Sequence, residues 1–417
     1  MTNTPQVELR VYAEFSEVRT QVQTAADQLQ FTFPQGVWEY VVPSSLGLLD
    51  LPYSAVTHAE APSWLTGLEG QRVKVRLDAL AQLHDATLIR AADLLVQDEN
   101  GFYRVREDQL VFAEAPREKT QNAARNVTFR LREAGDGVLT YLTRGVSWTP
   151  RYTLDALQDN PEGTLTALAD ITNNTEQAHL PDQLELIAGD VEMDLEEQSY
   201  AVHAARGGVM YSMDAAPPPE MQELDELGGL YRYNVSNPPP LDAKATVSVA
   251  FLPDAKLEIE REARLETSFV YIGAQRGNFN RGYTVTAANN LPGGKMTIRE
   301  DGRIVGQHEI EETPAGHPIR FTLGRDPDVT FTRTLQQKGA ERDPDGTGKV
   351  RRVSYEVTFT VKNNKKRPIR ATIRERHYDR VVKIEGLDLS SDNIATLTAM
   401  LEAGQSVDLS YTVTVDR

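Results

Sequence analysis

Cysteine is missing altogether from the 417 residues. Disulfides, thiolate metal ligands and thiol nucleophiles are excluded together, and the chain suits a reducing compartment. No run of eighteen apolar residues occurs either, so no segment reads as a membrane span. The opening stretch MTNTPQVELRVYAEF has no basic flank and no apolar core, so no signal peptide is expected and a cytoplasmic location is. Helical periodicity is scarce as well. AADQLQ and DNIATLTAMLEAG are the better helix candidates, and both are short.

Catalytic signatures are also wanting. Neither G-x-S-x-G nor S-x-x-K occurs in a strand-to-helix context, and in RGVSWTP no second glycine follows Ser147. No Gly-rich phosphate loop opens a helix, so no cofactor is expected. The seven histidines are scattered, without H-E-x-x-H. No catalytic residue can be named. The acidic run GDVEMDLEE would, if extended, place Asp190, Glu192, Asp194 and Glu196 on one face, where oxygen ligands suit Ca²⁺ or Mg²⁺. It lacks the glycine of a calcium-loop bend, and an acidic entry that keeps an insertion solvated is the simpler expectation.

What the chain does have is alternation. Period-two patterns recur in VELRVYAEF, RVKVRLD, VSYEVTFTV and VDLSYTVTV, and Asn100-Gly101 marks a hairpin turn between two strand-like runs. The expected fold is all-β and multi-domain, with β-sandwich-like units, a small N-terminal β domain and few helices. Residues 1–115 would form that N-terminal domain, 116–255 a first sandwich-like unit, and 256–417 a second. Within the first unit, 190–229 is rich in acid, Gly, Pro and Met and reads as a long mobile insertion. Residues 336–350 read as a polar loop. There is no tandem repeat of fixed period.

Several motifs follow one another in a set order: RGVSWTPRYTLDAL, ADITNNTEQ, LPDQLELIAGD, GLYRYNV, NNLPGGKMTIREDGRIVGQHEIEETPAGHPIRF and VSYEVTFTVKNNKKRPIRATIRE. This order resembles the bacterial domain of unknown function family 4139 (DUF4139), the C-terminal domain of mucoidy-inhibitor-like proteins, over about 130–417. More weakly, the first 115 residues look like the β-rich N-terminal part of its shorter members. The resemblance implies an all-β fold of sandwich-like units and supplies no activity or catalytic residues. Longer members carry a signal peptide and a coiled-coil insertion, neither of which is expected here. Physically, the motifs read as core and turns. Trp148 and Tyr152 would fill an inter-sheet core, Pro150 would mark an edge or bulge, and Asn173-Asn174, Pro292-Gly293-Gly294 and Asp301-Gly302 would turn the chain.

Charge is the remaining feature. The chain carries 61 acids against 44 Lys and Arg, a net of −17, which argues against whole-surface attraction to nucleic acid or anionic lipid. Yet residues 349–380 hold eleven bases and three acids, a local net of 11 − 3 = +8. Alternation predicts a basic β-hairpin there. Val353, Tyr355, Val357, Phe359 and Val361 would face inward, NNKKRP would turn, and Ile369, Ala371 and Ile373 would return inward. Arg370, Arg374 and Arg376 would then share a solvent face with about 6.5–7 Å between alternate residues, with Lys365, Lys366 and Arg367 at the tip. These six cations are the candidate site for an anionic partner.

Several readings of that patch stand side by side. Basic residues protect an exposed edge strand from aggregation, or pair with the acidic insertion of the same chain. An unidentified protein partner is the leading external expectation. Nucleic acid is the alternative, because the spacing is close to that of successive phosphates, and a nuclease would add metal through the 190–196 acids. A glycan- or envelope-binding role rests on fold analogy alone.

Overall fold

The computed structural model describes residues 6–61, 64–77, 83–112, 125–193, 221–342, 350–387 and 389–416. Among them regular structure is strand apart from a few short helical turns, the one α-helix being α1 (Gln35–Trp38), so the chain is all-β. Its first strands are β1 (Val7–Val11), β2 (Ser16–Thr24), β3 (Gln28–Phe33), β4 (Gly47–Leu49) and β5 (Tyr53–Glu60). Five short strands follow: β6 (Arg72–Val75), β7 (His84–Arg90), β8 (Leu95–Asp98), β9 (Gly101–Arg104) and β10 (Leu110–Val111). They form their own sheet, β10-β6-β7-β8-β9, over Val73, Val75, Leu88 and Val96. The expected hairpin turn is present, with Asp98 paired to Gly101 at φ 129°.

Next come β11 (Arg125–Leu131), β12 (Gly135–Thr143), β13 (Val146–Ala156), β14 (Glu162–Asn173), β15 (Gln183–Ala188), β16 (Met221–Leu227), β17 (Leu230–Val235) and β18 (Ala245–Ser268). β11 joins β3 and β5, and a seven-stranded sheet runs β16-β17-β15-β1-β2-β12-β4. β1 and β15 lie parallel, with Leu9 opposite Leu184 and Val11 opposite Leu186. Trp148 is buried as expected. Its indole N–H donates to the Ile187 carbonyl at 3.0 Å, and its ring meets Phe251 at 5.5 Å.

The chain ends with β19 (Ala274–Thr286), β20 (Gly294–Glu300), β21 (Arg303–Ile310), β22 (Pro318–Arg342), β23 (Val350–Asn363), β24 (Ile369–Arg376), β25 (Val381–Glu385), β26 (Ile394–Leu401) and β27 (Ser406–Asp416). Their main run is β26-β24-β18-β19-β22-β23-β27-β25. It encloses one core that includes Leu265, Phe279, Phe331, Val357, Phe359, Ile373, Leu397 and Val413. Tyr152 is buried, and its hydroxyl donates to the Pro292 carbonyl at 2.8 Å.

Two compact units result, each assembled from separated segments: Met1–Thr149 with Ala169–Phe251, and Pro150–Leu168 with Leu252–Arg417. The sequence expectation was three contiguous ones. β1 and β2 pair with strands more than 110 residues away, which no local pattern reveals.

Three local expectations are corrected. Both helix candidates are strands, since AADQLQ runs into β3 and DNIATLTAMLEAG contains β26. In β26, Ala395, Leu397 and Leu401 point into the core while Thr396, Thr398 and Met400 are exposed, a period of two that pairing with β24 selects over the helical spacing. The supposed insertion 190–229 contains β16, paired with β17. Its residues 194–220, and with them Asp194, lie outside the described residues. The polar stretch 336–342 belongs to β22, held in extended form by pairing with β23.

A correspondence between the units emerges from topology rather than from sequence period. In each, a parallel pair (β1–β15, β18–β24) continues to an antiparallel neighbour of its second strand (β17, β26). In each, a wholly buried asparagine ends the strand that precedes the second member of that pair. The Asn173 amide donates to the carbonyls of Gln177, Leu241 and Asp242 at 2.8, 3.0 and 3.1 Å. That of Asn363 donates to Arg367, Leu401 and Glu402 at 2.9, 3.2 and 3.0 Å.

Candidate functional site

The basic segment 349–380 is not a hairpin. β23 pairs with β22 and β27, whereas β24 pairs in parallel with β18 and antiparallel with β26. Asn363 is the reason. Instead of sitting in a tight solvent turn, it is buried and bonds three carbonyls, two of them at the end of β26. The chain therefore leaves the β22–β23–β27 run to pair with β18 and β26, and both strands bury their alternate residues in the same core.

The six candidate cations separate accordingly. Lys365 is paired with the buried Asp326 at 2.8 Å. Arg367 reaches the Gln158 carbonyl at 3.0 Å and Asp159 at 3.2 Å. Lys366 is exposed. Arg370, Arg374 and Arg376 are exposed on one face of β24, as alternation predicted, with Ala371 and Ile373 buried behind them. Lys349 lies outside the described residues.

The fold brings further arginines to that face. Arg370, Thr372 and Arg374 stand beside Glu262, Arg264 and Glu266 of β18, and Glu262 stands beside Gly282 of β19. Glu262, Arg264, Thr372 and Arg374, with Arg320 of β22, line an open depression of about 280 Å³. Gly282 makes room for it: a Cβ there would come within 3.0 Å of Glu262 Cγ and 3.1 Å of Arg264 Cβ. Glu262 organises the floor. One of its oxygens accepts from Arg264 Nε at 2.8 Å and from Arg264 Nη2, and the other accepts from the Thr372 hydroxyl at 2.6 Å. Arg374 is 3.5 Å from Glu266, an exposed contact that leaves most of its charge to solvent. Arg320, Arg370 and Arg376 form no ion pair among the described residues. Counting Glu260, five arginines face three acids here, an excess of 5 − 3 = +2 in a chain of net −17.

The corresponding face of the first unit shows no such excess. There Arg10 lies 2.7, 3.3 and 3.5 Å from Glu8, Glu17 and Glu185, Arg19 is 3.1 Å from Glu8, and Arg232 is 3.5 Å from Glu185. Three arginines meet three glutamates. The unbalanced face is a property of the second unit's side chains, since both units share the strand arrangement.

Behind β24 lies a network that the sequence hides. Glu375 and His377 continue the inward phase of the strand and are buried. Arg333 Nε donates to Glu375 at 2.7 Å, and its Nη1 to the Val270 carbonyl at 3.2 Å. The Tyr411 hydroxyl bonds the other Glu375 oxygen and lies 3.0 Å from His377 Nε2. Burial raises the Glu375 carboxyl above its usual range and raises the Tyr411 hydroxyl. Burial and the Arg333 charge lower His377 to about 4. Closed off in the core, this network fixes the strand that presents the arginines. It offers no access to a substrate.

The acidic candidates do not converge. Asp190 borders a smaller depression with Tyr12, Glu14 and Phe15, and Glu192 follows in a segment without regular structure. Among the described residues no group of three His, Asp or Glu is placed to hold a metal ion. Nor is any helix among them long and apolar enough to cross a membrane.

No curated protein matches the chain. Residues 138–377, more than half of it and including all of β24, match the family described as "Domain of unknown function (DUF4139)". The chain belongs to the DUF4139 family.

Proposed function

We propose that this is a binding protein, not an enzyme, whose second unit docks an acidic protein partner on the arginine-bearing face of β18, β19, β22 and β24. One observation carries the reading: Arg264, Arg320 and Arg374 converge with Thr372 on a single depression beside Arg370 and Arg376, which form no ion pair among the described residues. A planar guanidinium holds a carboxylate through two parallel hydrogen bonds, and several around one depression select for anionic side chains. A cytoplasmic setting is part of the proposal, and a chain without cysteine is compatible with it. Protein is favoured over nucleic acid because the excess is small and interrupted by Glu262 and Glu266, where a phosphate track calls for unbroken positive charge.

The test is a fluorescence-anisotropy titration of labelled poly-glutamate and of a labelled oligonucleotide at two salt concentrations. Poly-glutamate binding is expected, weakened about tenfold or more in Arg320→Glu/Arg374→Glu, a loss of about 1.4 kcal/mol. Equal binding by wild type and variant overturns the reading. Tighter, variant-sensitive binding of the oligonucleotide replaces it with the nucleic-acid alternative.

A further inference from the structure

β26 pairs with β24 along one side, from Ile369 opposite Leu401 to Arg376 opposite Ile394. Among the described residues, its other side meets only one isolated bridge, Leu389 to Ala395. From Thr396 to Leu401 that side has no strand partner. The strand reads IATLTAML, without a charge or a proline, and its register with β24 runs without a bulge. Exposed edges are ordinarily guarded by one of these devices, because unpaired N–H and C=O groups template another strand. Here none is used.

The first unit shows what the same position accepts. β17, which corresponds to β26, is paired on both sides, with β15 and with β16. β16 reads MQELDEL, three acids in seven residues. Beside β26 the described residues hold no counterpart of β16.

We propose that the open edge of β26 takes an extended acidic segment of a partner protein as an added strand, with the arginines of β24 selecting for its acids. The proposal rests on the preceding reading of an acidic partner and states how that partner is held. Backbone pairing supplies affinity in such complexes, and alternate side chains supply specificity. Arg370 lies opposite Met400 and Arg374 opposite Thr396 on the shared face. An added strand lies about 4.8 Å beyond β26 and so about 9.6 Å from β24, a gap that Arg374 and a glutamate span together across the short Thr396 side chain.

The experiment uses the full chain and a labelled synthetic peptide of the sequence Met221–Leu227, followed by anisotropy and by amide hydrogen exchange. Exchange across Ile394–Leu401 is expected to slow about tenfold or more at saturation. A peptide N-methylated at alternate amides, made in both phases, is expected to lose about tenfold or more in affinity in at least one phase. Equal binding by the plain peptide and both methylated ones, with β26 exchange unchanged, overturns the added strand and leaves the arginine face standing. So does protection confined to β17. Unchanged binding in Arg370→Glu/Arg374→Glu overturns the acidic-partner reading itself. Concentration-dependent protection of β26 without peptide overturns the proposal in favour of a second copy of the chain.

Discussion

Replacing Arg333 by Met tests the internal scaffold on which the arginine face depends. Arg333 and Glu375 expose none of their side-chain surface, and the rings of Phe269 and Phe359 lie 5.4 and 5.9 Å from the guanidinium. Removing one member of a buried pair leaves the other charge uncompensated, at a cost of about 3–5 kcal/mol. Replacing both by apolar residues restores most of that loss. All three tryptophans, Trp38, Trp64 and Trp148, belong to the first unit, so their fluorescence does not report on the second. Native-state hydrogen exchange in β22 and β24 does. The expected acceleration is about two to four decades, at about 1.4 kcal/mol per decade. The loss carries a pH signature. Burial already raises Glu375, and without Arg333 it rises further, so protonation removes the stranded charge and the defect is smaller at pH 5 than at pH 8. A change below about 1 kcal/mol in Arg333→Met, or Arg333→Met/Glu375→Leu as unstable as the single variant, would refute the reasoning.

Asn363→Ala leaves three carbonyls without their donor and should destabilise the second unit by about 2–4 kcal/mol, read by exchange in β26. Asn173→Ala should do the same to the first unit, read there by tryptophan fluorescence. With His377 lowered to about 4 in the folded chain and near 6.5 when unfolded, the unfolded state binds more protons between those values. The His377 contribution to stability should therefore fall as pH drops through that window, by up to about 3 kcal/mol, and His377→Phe should remove that part of the slope measured by exchange in β24. Gly282→Val pushes against Glu262 and Arg264. It should cost about 1–3 kcal/mol and weaken poly-glutamate binding severalfold, checked by the same anisotropy titration.

The alternation of 353–361 and 369–373 was readable because each strand buries one face, a constraint that acts residue by residue. Pairing was not readable: β23 and β24 are consecutive and both bury their odd-numbered residues, yet β18, β19 and β22 separate them in the sheet. The same limit misplaced Lys365 and Arg367, whose partners Asp326 and Asp159 lie about 40 and 200 residues away and have no local signature. It also hid Arg264 and Arg320, which complete the face from β18 and β22. Glu375 and His377 kept the inward phase of β24, and only the position of Arg333 and Tyr411 explains why polar side chains occupy it. In β26, Ile394, Leu397 and Leu401 fit a helical spacing as well as a strand, and the neighbour decided.

The central claim, that an acidic partner is bound by the face of β18, β22 and β24, is tested most directly by arginine footprinting. The full chain is treated with phenylglyoxal with and without saturating poly-glutamate at low salt, and modification is mapped by mass spectrometry. Protection of Arg320, Arg370, Arg374 and Arg376 is expected, while the exposed Arg104, at the end of β9, and Arg106, just after it, stay reactive. Protection spread evenly over exposed arginines, or sparing those four, would contradict it.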